Sequence, residues 1–394
     1  MSPDVVVVGG GIIGCAVLHA LARVLPRSTR LLLLERDAIA GATSGSSMGH
    51  LMVTPDTPEA YSFTRTSVRL WAELAERTDG ERAFYYRPTG ALYLADSAED
   101  LDLLPVLNRQ FLDRGDSCEV VDERRLREIE PGLADDVPGA LYYPGDGVVL
   151  PMLACSAMLR EAMQLNPNVE VRAECPVTGF DVGGGRVTAV RTARGVVPTA
   201  HVVNATGVWA PELAEMLGQP RLPIWPRAGN LAITAHHVSP IRTQLLEIAY
   251  LRFAHGAAEV DPSGAGSDLG GHAVNMQPQS HGGCLIGSTR QFRGMDRTLN
   301  RELLHRSLLR AQRYAPSLAA APIVRTWVGL RPYAEDGVPL IGPWPHVEGL
   351  WIAAGHEGLG ISLAPITGLL LAQQIAGVAP AIDPTPYLPA RFAA

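Results

Sequence analysis

The chain of 394 residues contains no lysine, and all 33 of its basic residues are arginine. Lysine forms Schiff bases, binds phosphate in the Walker motif and acts as an amine base, so all three chemistries are excluded. Cysteine is also scarce. The five cysteines are scattered without a C-x-x-C pair, which argues against an iron–sulfur cluster, a structural zinc or a disulfide framework. We therefore expect no metal site.

The chain also lacks a long uninterrupted apolar run and an excess of basic residues. Its most apolar stretch, residues 361–378, is interrupted by Pro365 and by Gln373 and Gln374, so we expect no transmembrane segment. No basic residue precedes the first apolar run, so we expect a cytoplasmic protein without a secretory signal. The formal net charge of −7 gives no support for a nucleic-acid partner.

The first 35 residues are the most informative segment. Residues 5–8 are four valines, which is typical of a strand buried on both faces. Gly9, Gly11 and Gly14 then fit the pattern G-x-G-x-x-G, and apolar residues follow at helical spacing. A run of four leucines leads to Glu35, which lies 21 residues after Gly14. This order of strand, helix, strand and acid predicts a dinucleotide-binding unit.

Each part of this unit has a mechanical role in holding a dinucleotide. Gly9 permits the tight turn, Gly11 lets the backbone approach the pyrophosphate, and Gly14 lets the helix pack closely on the sheet. The N–H groups and dipole of the helix N-terminus stabilise the phosphates. Glu35 can accept hydrogen bonds from both ribose hydroxyls, and its charge disfavours the 2′-phosphate of NADP. The neighbouring residues expected to contact the dinucleotide are Ile12, Ile13 and Arg36.

Residues 41–50 follow the second strand and are small and rich in hydroxyl groups. Such a segment can wrap a second phosphate and lie under a flat ring, which favours a flavin over a nicotinamide, although composition alone also allows a surface loop. Residues 201–207 form another predicted strand and turn that can close over the dinucleotide. The cofactor contacts expected from these regions are Thr43, Ser44, Gly49, Thr206, Gly207 and Trp209, and Val177 is a further expected contact.

The remainder of the chain is mixed, with residues 222–292 reading mostly as strands. Residues 256–271 are compatible with a mobile lid, a partner-facing loop or a long hairpin loop. A second glycine-rich strand-to-helix turn lies near the C-terminus, where a helix N-terminus can stabilise negative charge on a reduced ring. It adds the expected cofactor contacts Gly358, Leu359, Gly360 and Ile361. Apolar spacing further predicts helices over residues 61–78, 151–165 and 298–314, and a strand over 86–95.

Together the motifs resemble the FAD-dependent oxidoreductases of the D-amino acid oxidase, glycine oxidase and sarcosine oxidase family, over nearly the whole chain. The segments that carry the resemblance are VVVVGGGIIG with ERD, GATSGSSMGH, VVNATGVWA, GLRPYAEDGVPLIG and GLWIAAGHEGLGISLAPITG. The first motif is shared with many dinucleotide-binding proteins, whereas the combination in this order is specific.

The resemblance implies a mixed α/β fold in which a Rossmann-like FAD-binding domain is interleaved with a substrate domain built on a large antiparallel sheet. We expect the FAD-binding domain at residues 1–85, 140–221 and 326–394, and the substrate domain at 86–139 and 222–325. The family reaction oxidises the C–N bond of an amino acid or amine to the imine, with a hydride passing to flavin N5. No catalytic acid or base is obligatory, because the protein supplies alignment and charge complementarity.

By its place in the family motif, Arg331 matches the arginine that binds the substrate carboxylate. A planar guanidinium suits this role because it can bind a carboxylate through two parallel hydrogen bonds. The alternative is a structural arginine that pairs with Glu335 or Asp336. The remaining residues expected near the substrate or the flavin ring are Met48, His50, Tyr250, Asn275, His356 and Glu357.

Two departures from the family narrow the function. Covalent members attach the flavin through a cysteine in the C-terminal block, and this chain has no cysteine beyond Cys284, so we expect non-covalent FAD. Members of the sarcosine oxidase type use a lysine near the flavin to activate oxygen. The absence of lysine therefore favours a dehydrogenase over an oxidase, although D-amino acid and glycine oxidases of the family work without such a lysine.

Within the family, SGSSMGHLMV followed by TRTSVRLW looks most like D-hydroxyproline dehydrogenases and opine-oxidase-type catalytic subunits. We therefore expect a dehydrogenase of a D-hydroxyproline- or proline-like amino acid or secondary amine. The alternatives are an oxidase of the D-amino acid, glycine or sarcosine type that produces hydrogen peroxide, and a non-catalytic flavin subunit. The expected electron acceptor is oxygen, a quinone or a partner subunit, and the last would imply a hetero-oligomer.

Overall fold

The structure is a computed structural model, and it describes residues 2–54, 57–236, 241–248, 274–279 and 282–392. Tyr250 and the segment 256–271 lie outside the described residues. The helices are α1 (Ile12–Val24), α2 (Pro58–Thr78), α3 (Gly80–Phe84), α4 (Ala98–Leu112), α5 (Glu123–Ile129), α6 (Pro151–Leu165), α7 (Ala210–Met216), α8 (Arg301–Tyr314) and α9 (Gly360–Ala376).

The strands are numbered in chain order. They are β1 (Val5–Val8), β2 (Leu31–Leu34), β3 (His50–Leu51), β4 (Ala91–Ala95), β5 (Glu119–Asp122), β6 (Gly139–Tyr143), β7 (Gly147–Val148), β8 (Val169–Arg172), β9 (Val177–Gly183), β10 (Arg186–Thr192), β11 (Gly195–Pro198), β12 (His201–Asn204), β13 (Ile224–Thr234), β14 (Gln244–Glu247), β15 (Asn275–Pro278), β16 (Cys284–Gly287), β17 (Gln291–Phe292), β18 (Ile323–Ala334), β19 (Leu340–Pro343) and β20 (Leu350–Ala354).

The first sheet has six strands in the order β19-β20-β12-β1-β2-β8. Strand β1 lies in its middle and pairs in parallel with β12 and β2, while only the edge strand β19 runs antiparallel. The valines of β1 and the leucines of β2 are all buried, because helices α1, α6 and α9 cover one face and a second apolar cluster covers the other. This is the expected doubly covered parallel sheet.

Helix α9 is apolar because it lies inside the protein. It packs along α1, and its residues from Ile361 to Ala372 are largely buried in the shared core. Residues 357–376 are long and apolar enough to cross a membrane, but core helices of soluble proteins meet the same criterion, and about half of the segment is buried here. The first turn of α9 lies at the cavity described below.

The second sheet has nine strands in the order β17-β13-β16-β15-β14-β4-β6-β5, and β18 pairs with β13. All of its pairs are antiparallel except β14 with β4. Strands β13 and β18 form its longest pair, from Ile224 opposite Ala334 to Thr234 opposite Ile323. The mixed α/β architecture with a large, mainly antiparallel sheet agrees with the predicted fold class.

The predicted domain boundaries cut through the larger sheet. Residues 140–143 of β6 and 326–334 of β18 pair within this sheet, although the predicted boundaries group them with the FAD-binding segments. The division into two interleaved domains stays a prediction.

Hydrogen bonds join residues 43–48 to the inner face of the larger sheet. The Thr43 hydroxyl donates to the Leu330 carbonyl over 2.7 Å, and the Trp327 indole N–H donates to the Ser46 carbonyl over 3.0 Å. These bonds bring the end of the first βαβ unit against strand β18.

Candidate active site

A cavity of about 620 Å³ lies between the carboxyl ends of β1, β2 and β12 and the inner face of the larger sheet. Its volume falls in the range of about 300–1,000 Å³ that is usual for ligand sites. Its position, outside the carboxyl ends of parallel strands, is where open α/β sheets bind ligands. One end is lined by the glycine motif and the other by strands β13, β15 and β18.

The glycine motif is packed so closely that larger residues would not fit. A Cβ atom on Gly14 would lie 1.9 Å from the carbonyl oxygen of Gly9, which is itself in the left-handed region at φ +111°. A Cβ on Gly9 would lie 2.5 Å from the carbonyl oxygen of Ala205, just beyond β12. The turn therefore keeps the N-terminus of α1 against the sheet and open to the cavity, the geometry used for phosphate binding.

Glu35 is held at the end of β2 by two backbone N–H groups. Its carboxylate accepts from Gly10 N over 2.6 Å and from Asp37 N over 2.8 Å. A carboxylate has about four acceptor positions, so Glu35 retains capacity for the ribose hydroxyls. Ser44 Oγ accepts from Ile12 N over 2.9 Å, which places the loop after β2 directly over the start of α1.

The residues that line this cavity fit FAD. The cavity offers a phosphate-binding helix N-terminus, a carboxylate for ribose hydroxyls and enough length to reach a second, substrate-side region. Beside Glu35, the guanidinium of Arg36 lies 4.6 Å from the centre of the Trp209 ring, a distance at which a cation and an aromatic face attract each other. When bound, FAD would supply two-electron oxidation chemistry at the other end.

Arg331 projects from β18 into the substrate-side end of the cavity. Its Nη2 donates to the Ser288 hydroxyl over 2.6 Å, and its Nη1 donates to the Thr289 carbonyl over 3.1 Å. The guanidinium lies over Gly229, where a Cβ atom would be 2.5 Å from Nη1 and 2.7 Å from Nη2. The two hydrogen bonds and the close packing on Gly229 therefore hold the guanidinium in one orientation.

The structure does not pair Arg331 with Asp336, one of the two carboxylates offered as an alternative. Asp336 pairs instead with Arg391, whose Nε lies 2.6 Å from a carboxylate oxygen of Asp336. Arg331 forms an ion pair with Glu357, whose Oε1 lies 3.9 Å from Nε of the arginine. The side chain of Arg331 is thus committed to the cavity side of the sheet.

Glu357 lies at the centre of three arginines. One of its carboxylate oxygens, Oε1, lies 3.3 Å from Arg227 Nη1, 3.6 Å from Arg290 Nε and 3.9 Å from Arg331 Nε. The other oxygen accepts from the backbone N–H of Gly358. Burial lowers the pKa of Arg227 to about 10, with a further lowering from its two arginine neighbours that the Glu357 carboxylate opposes.

Two buried histidines at the cavity are neutral near pH 7. Burial lowers the pKa of His50 to about 4 and that of His356 to about 3. Nε2 of His356 lies 3.0 Å from the Thr367 hydroxyl, whereas its Nδ1 and the Nε2 of His50 have no hydrogen-bond partner among the residues that the structure describes. Within the same residues, the Oδ1 of the buried Asn275 also has none. Unpaired buried polar atoms are costly, so we expect these three atoms to contact a bound molecule.

The structure brings nearly all predicted site residues to one cavity. Only Gly14, which packs inside the turn, and Leu359, which packs on apolar side chains, are absent from its lining among the described residues. The roles assigned to the others stay predictions. Sequence reasoning missed Ser288, Thr289 and Gly229, because no local pattern indicates that these residues meet Arg331.

Comparison with known proteins places the chain in context. Residues 4–374 match the family described as FAD dependent oxidoreductase. The sequence is 31% identical over 396 residues to the glycine oxidase of Pseudomonas putida, covering 99% of both chains. The fold matches the glycine oxidase of Geobacillus kaustophilus with a TM-score of 0.81 and 27% identity, covering 98% of each chain. It also matches L-proline dehydrogenase from P. horikoshii with a TM-score of 0.86 and 24% identity, covering 99% of this chain and 98% of that one.

Proposed function

This chain belongs to the FAD-dependent oxidoreductase family, and on that premise we propose that it oxidises a small α-amino acid whose carboxylate binds Arg331. Membership confirms the family predicted from the motifs, and it makes FAD the cofactor and the oxidation of an amino acid or amine the reaction type. The position and mode of substrate binding are the proposal. Non-covalent attachment of the flavin also stays a prediction.

The single observation that supports this proposal best is the fixed guanidinium of Arg331 at the cavity. Ser288 and Thr289 orient the fork, and a preoriented fork loses little entropy when it binds a carboxylate. The neutral His50 and His356 and the amide of Asn275 offer hydrogen bonds without adding charge. In this arrangement the protein aligns the C–N bond and excludes water, which is the contribution required of it.

The substrate we propose carries its amine on a small or cyclic skeleton, as glycine, sarcosine and proline do. A D-hydroxyproline- or proline-like substrate is the specific prediction from the sequence. Glycine is the second candidate, and the 31% identity to a glycine oxidase over 99% of both chains favours it. An anaerobic screen of flavin bleaching with glycine, sarcosine, D- and L-proline and 4-hydroxyproline separates the two.

The electron acceptor is a separate question within this function. We propose a dehydrogenase, because the chain has no lysine that could activate oxygen beside the flavin. The reduced enzyme should then react slowly with oxygen and much faster with an artificial dye. Peroxide formation in air at the dye-linked rate would instead identify an oxidase.

The decisive experiment for the proposal is Arg331→Ala. We expect the variant to keep its FAD and to lose about 10²- to 10³-fold in kcat/KM, or roughly 3–4 kcal/mol, mainly through a higher KM for the amino acid. Arg331→Lys should restore only part of the loss, because an ammonium cannot reproduce the fork. Arg325→Ala, an exposed arginine on the same strand, is the matched control. A near-normal kcat/KM for Arg331→Ala would mean that the carboxylate binds elsewhere.

A further inference from the structure

The loop after strand β17 reaches the cofactor side of the cavity although its strand belongs to the larger sheet. Phe292 of β17 pairs with Arg227 of β13, and the loop begins at the next residue. Met295 and Arg297, near the tip of this turn, both line the cavity. Neither residue belongs to a motif that the family resemblance contains.

This loop, residues 293–298, is built to keep one shape. Arg293 forms an ion pair with Asp296 and donates from Nη1 to the Thr298 carbonyl over 3.0 Å. Asp296 accepts from Thr298 N over 2.7 Å. Immediately after the loop, Asn300 N donates to the side chain of Asn230 on β13 over 2.9 Å. The tip is therefore fixed to the larger sheet by a network of polar contacts.

The tip faces the Trp209 ring from the side of the larger sheet. The guanidinium of Arg297 lies 6.0 Å from the ring centre, and that of Arg36 lies 4.6 Å from it. Trp209 and Leu299 also pack on one apolar cluster that contains Val208 and Ala228. Residues from the first βαβ unit, from the turn after β12 and from the larger sheet thus meet at this ring.

The two arginines beside the Trp209 ring differ in their carboxylate partners. Arg36 has a carboxylate partner, because its Nε lies 3.0 Å from Asp37. Asp296 is paired with Arg293, and within the described ranges no carboxylate lies within 4.0 Å of Arg297. Arg297 is thus a cation that lines the cavity beside the Trp209 ring.

We propose that residues 293–298 form a clasp that binds the adenosine diphosphate half of FAD, with Arg297 facing the phosphate that is attached to the adenosine and Met295 contacting the adenine ring. Phosphate oxygens are the partners that a guanidinium prefers, and a flexible thioether packs well on a flat aromatic ring. The clasp makes the larger sheet contribute to cofactor retention and not only to substrate binding. This inference depends on FAD as the cofactor and is independent of which amino acid is oxidised.

The test measures binding by the full-length chain after its flavin has been removed. FAD, ADP and riboflavin 5′-phosphate are each titrated into the wild type, Arg297→Ala and Met295→Ala, with flavin fluorescence or calorimetry as the readout. We expect Arg297→Ala to weaken the binding of FAD and of ADP about fivefold, which is the effect of one exposed ion pair. The affinity for riboflavin 5′-phosphate should stay unchanged. The loss for FAD should shrink at high salt, because salt screens exposed charges. Met295→Ala should also weaken the binding of FAD and ADP and leave the binding of riboflavin 5′-phosphate unchanged.

Two controls make the outcome specific. Arg301→Ala removes an exposed arginine four residues further on, at the start of α8, which does not line the cavity, and it should leave all three affinities unchanged. Arg297→Lys should restore most of the binding of ADP. Equal weakening of FAD and riboflavin 5′-phosphate, or unchanged binding of ADP to Arg297→Ala, would overturn the clasp. Because turnover is not measured, a chain that oxidises no amino acid could still pass this test.

Discussion

Arg227 and Arg331 lie directly opposite each other on the β13–β18 pair, and one carboxylate oxygen of Glu357 is within 4 Å of a nitrogen of each. Like charges in opposite positions of an antiparallel pair repel. Glu357, which adopts the left-handed region at φ +45°, offsets this repulsion from the loop before α9. The carboxylate thus connects the loop beside the cofactor to the arginine that we propose binds the substrate.

Replacing the Glu357 carboxylate should destabilise the fold more than an exposed ion pair would. Glu357→Gln is expected to lower the free energy of unfolding by about 3 kcal/mol, because it leaves buried guanidinium groups without the carboxylate that lies between them. Removing one guanidinium as well, in Glu357→Gln with Arg227→Met, should recover part of the loss. Denaturant unfolding of the two single variants and the double variant measures this coupling.

The control for Glu357 is Asp336→Asn, which breaks the more exposed pair with Arg391. It should cost less than about 1 kcal/mol. If Glu357→Gln unfolds at the same denaturant concentration as the wild type, the carboxylate does not hold the cluster together.

Gly229→Ala should displace Arg331 without removing it. The added methyl group would lie 2.5 Å from Nη1 of Arg331, so the fork must move out of the orientation set by Ser288. A misplacement of this size typically costs on the order of 10- to 100-fold in kcat/KM, and we expect it mainly as a raised KM with FAD retained. Gly183→Ala is the matched control, since its Cβ would meet only the Thr188 side chain, at 3.6 Å. Steady-state kinetics equal to the wild type would show that the orientation of the Arg331 guanidinium does not depend on a glycine at position 229.

Glu35→Ala should weaken the retention of FAD. The carboxylate is placed for the ribose hydroxyls and also accepts from Gly10 N and Asp37 N, so its loss removes charge-assisted hydrogen bonds worth about 1.5–3 kcal/mol each. We expect affinity for FAD to fall at least about tenfold and the purified protein to be largely colourless. Glu170→Ala, an exposed glutamate on the neighbouring strand β8, should stay yellow. Full flavin content in Glu35→Ala would contradict the assignment.

Asp146 should make the stability of the protein depend on pH. Burial raises the pKa of its carboxyl to about 7 from an ordinary value of 3.8, against the opposing effect of hydrogen bonds from Val53 N and Tyr93. Between these two values the folded state holds the proton that the unfolded state has released. This carboxyl therefore costs stability as the pH rises from about 4 to 7, by up to about 1.4 kcal/mol per pH unit.

Asp146→Asn removes this titration while keeping the shape of the side chain. We expect its stability, measured relative to the wild type, to rise across the window from pH 4 to 7 and to level off above it. Asp102→Asn, a substitution of an exposed aspartate, should show the same dependence of stability on pH as the wild type. A constant difference between Asp146→Asn and the wild type at every pH would mean that Asp146 does not titrate in this range.

The spacing of apolar residues along the sequence predicted the helices more accurately than it predicted the bounds of the strand before residue 96. The helix predicted over 61–78 is α2 (Pro58–Thr78), which starts earlier because the Thr57 hydroxyl accepts from Ala60 N over 3.1 Å. The helix predicted over 151–165 has the same bounds in the structure. The strand predicted over 86–95 is shorter, with β4 starting at Ala91, because of the residues before it only Arg87 pairs, in an isolated bridge to Val148.

The sequence by itself determined the first βαβ unit, with its glycine turn and its terminal acid, because these residues interact within about 35 positions of one another. It also identified Arg331, through a motif. Only the tertiary structure decided what holds Arg331, since Ser288, Gly229 and Glu357 come from separate segments that meet through strand register. It likewise decided that Asp336 pairs with Arg391 and that Arg297 reaches the cofactor side. Hydrophobic periodicity specifies which face of a strand is buried, but the partner across the sheet is chosen by non-local packing.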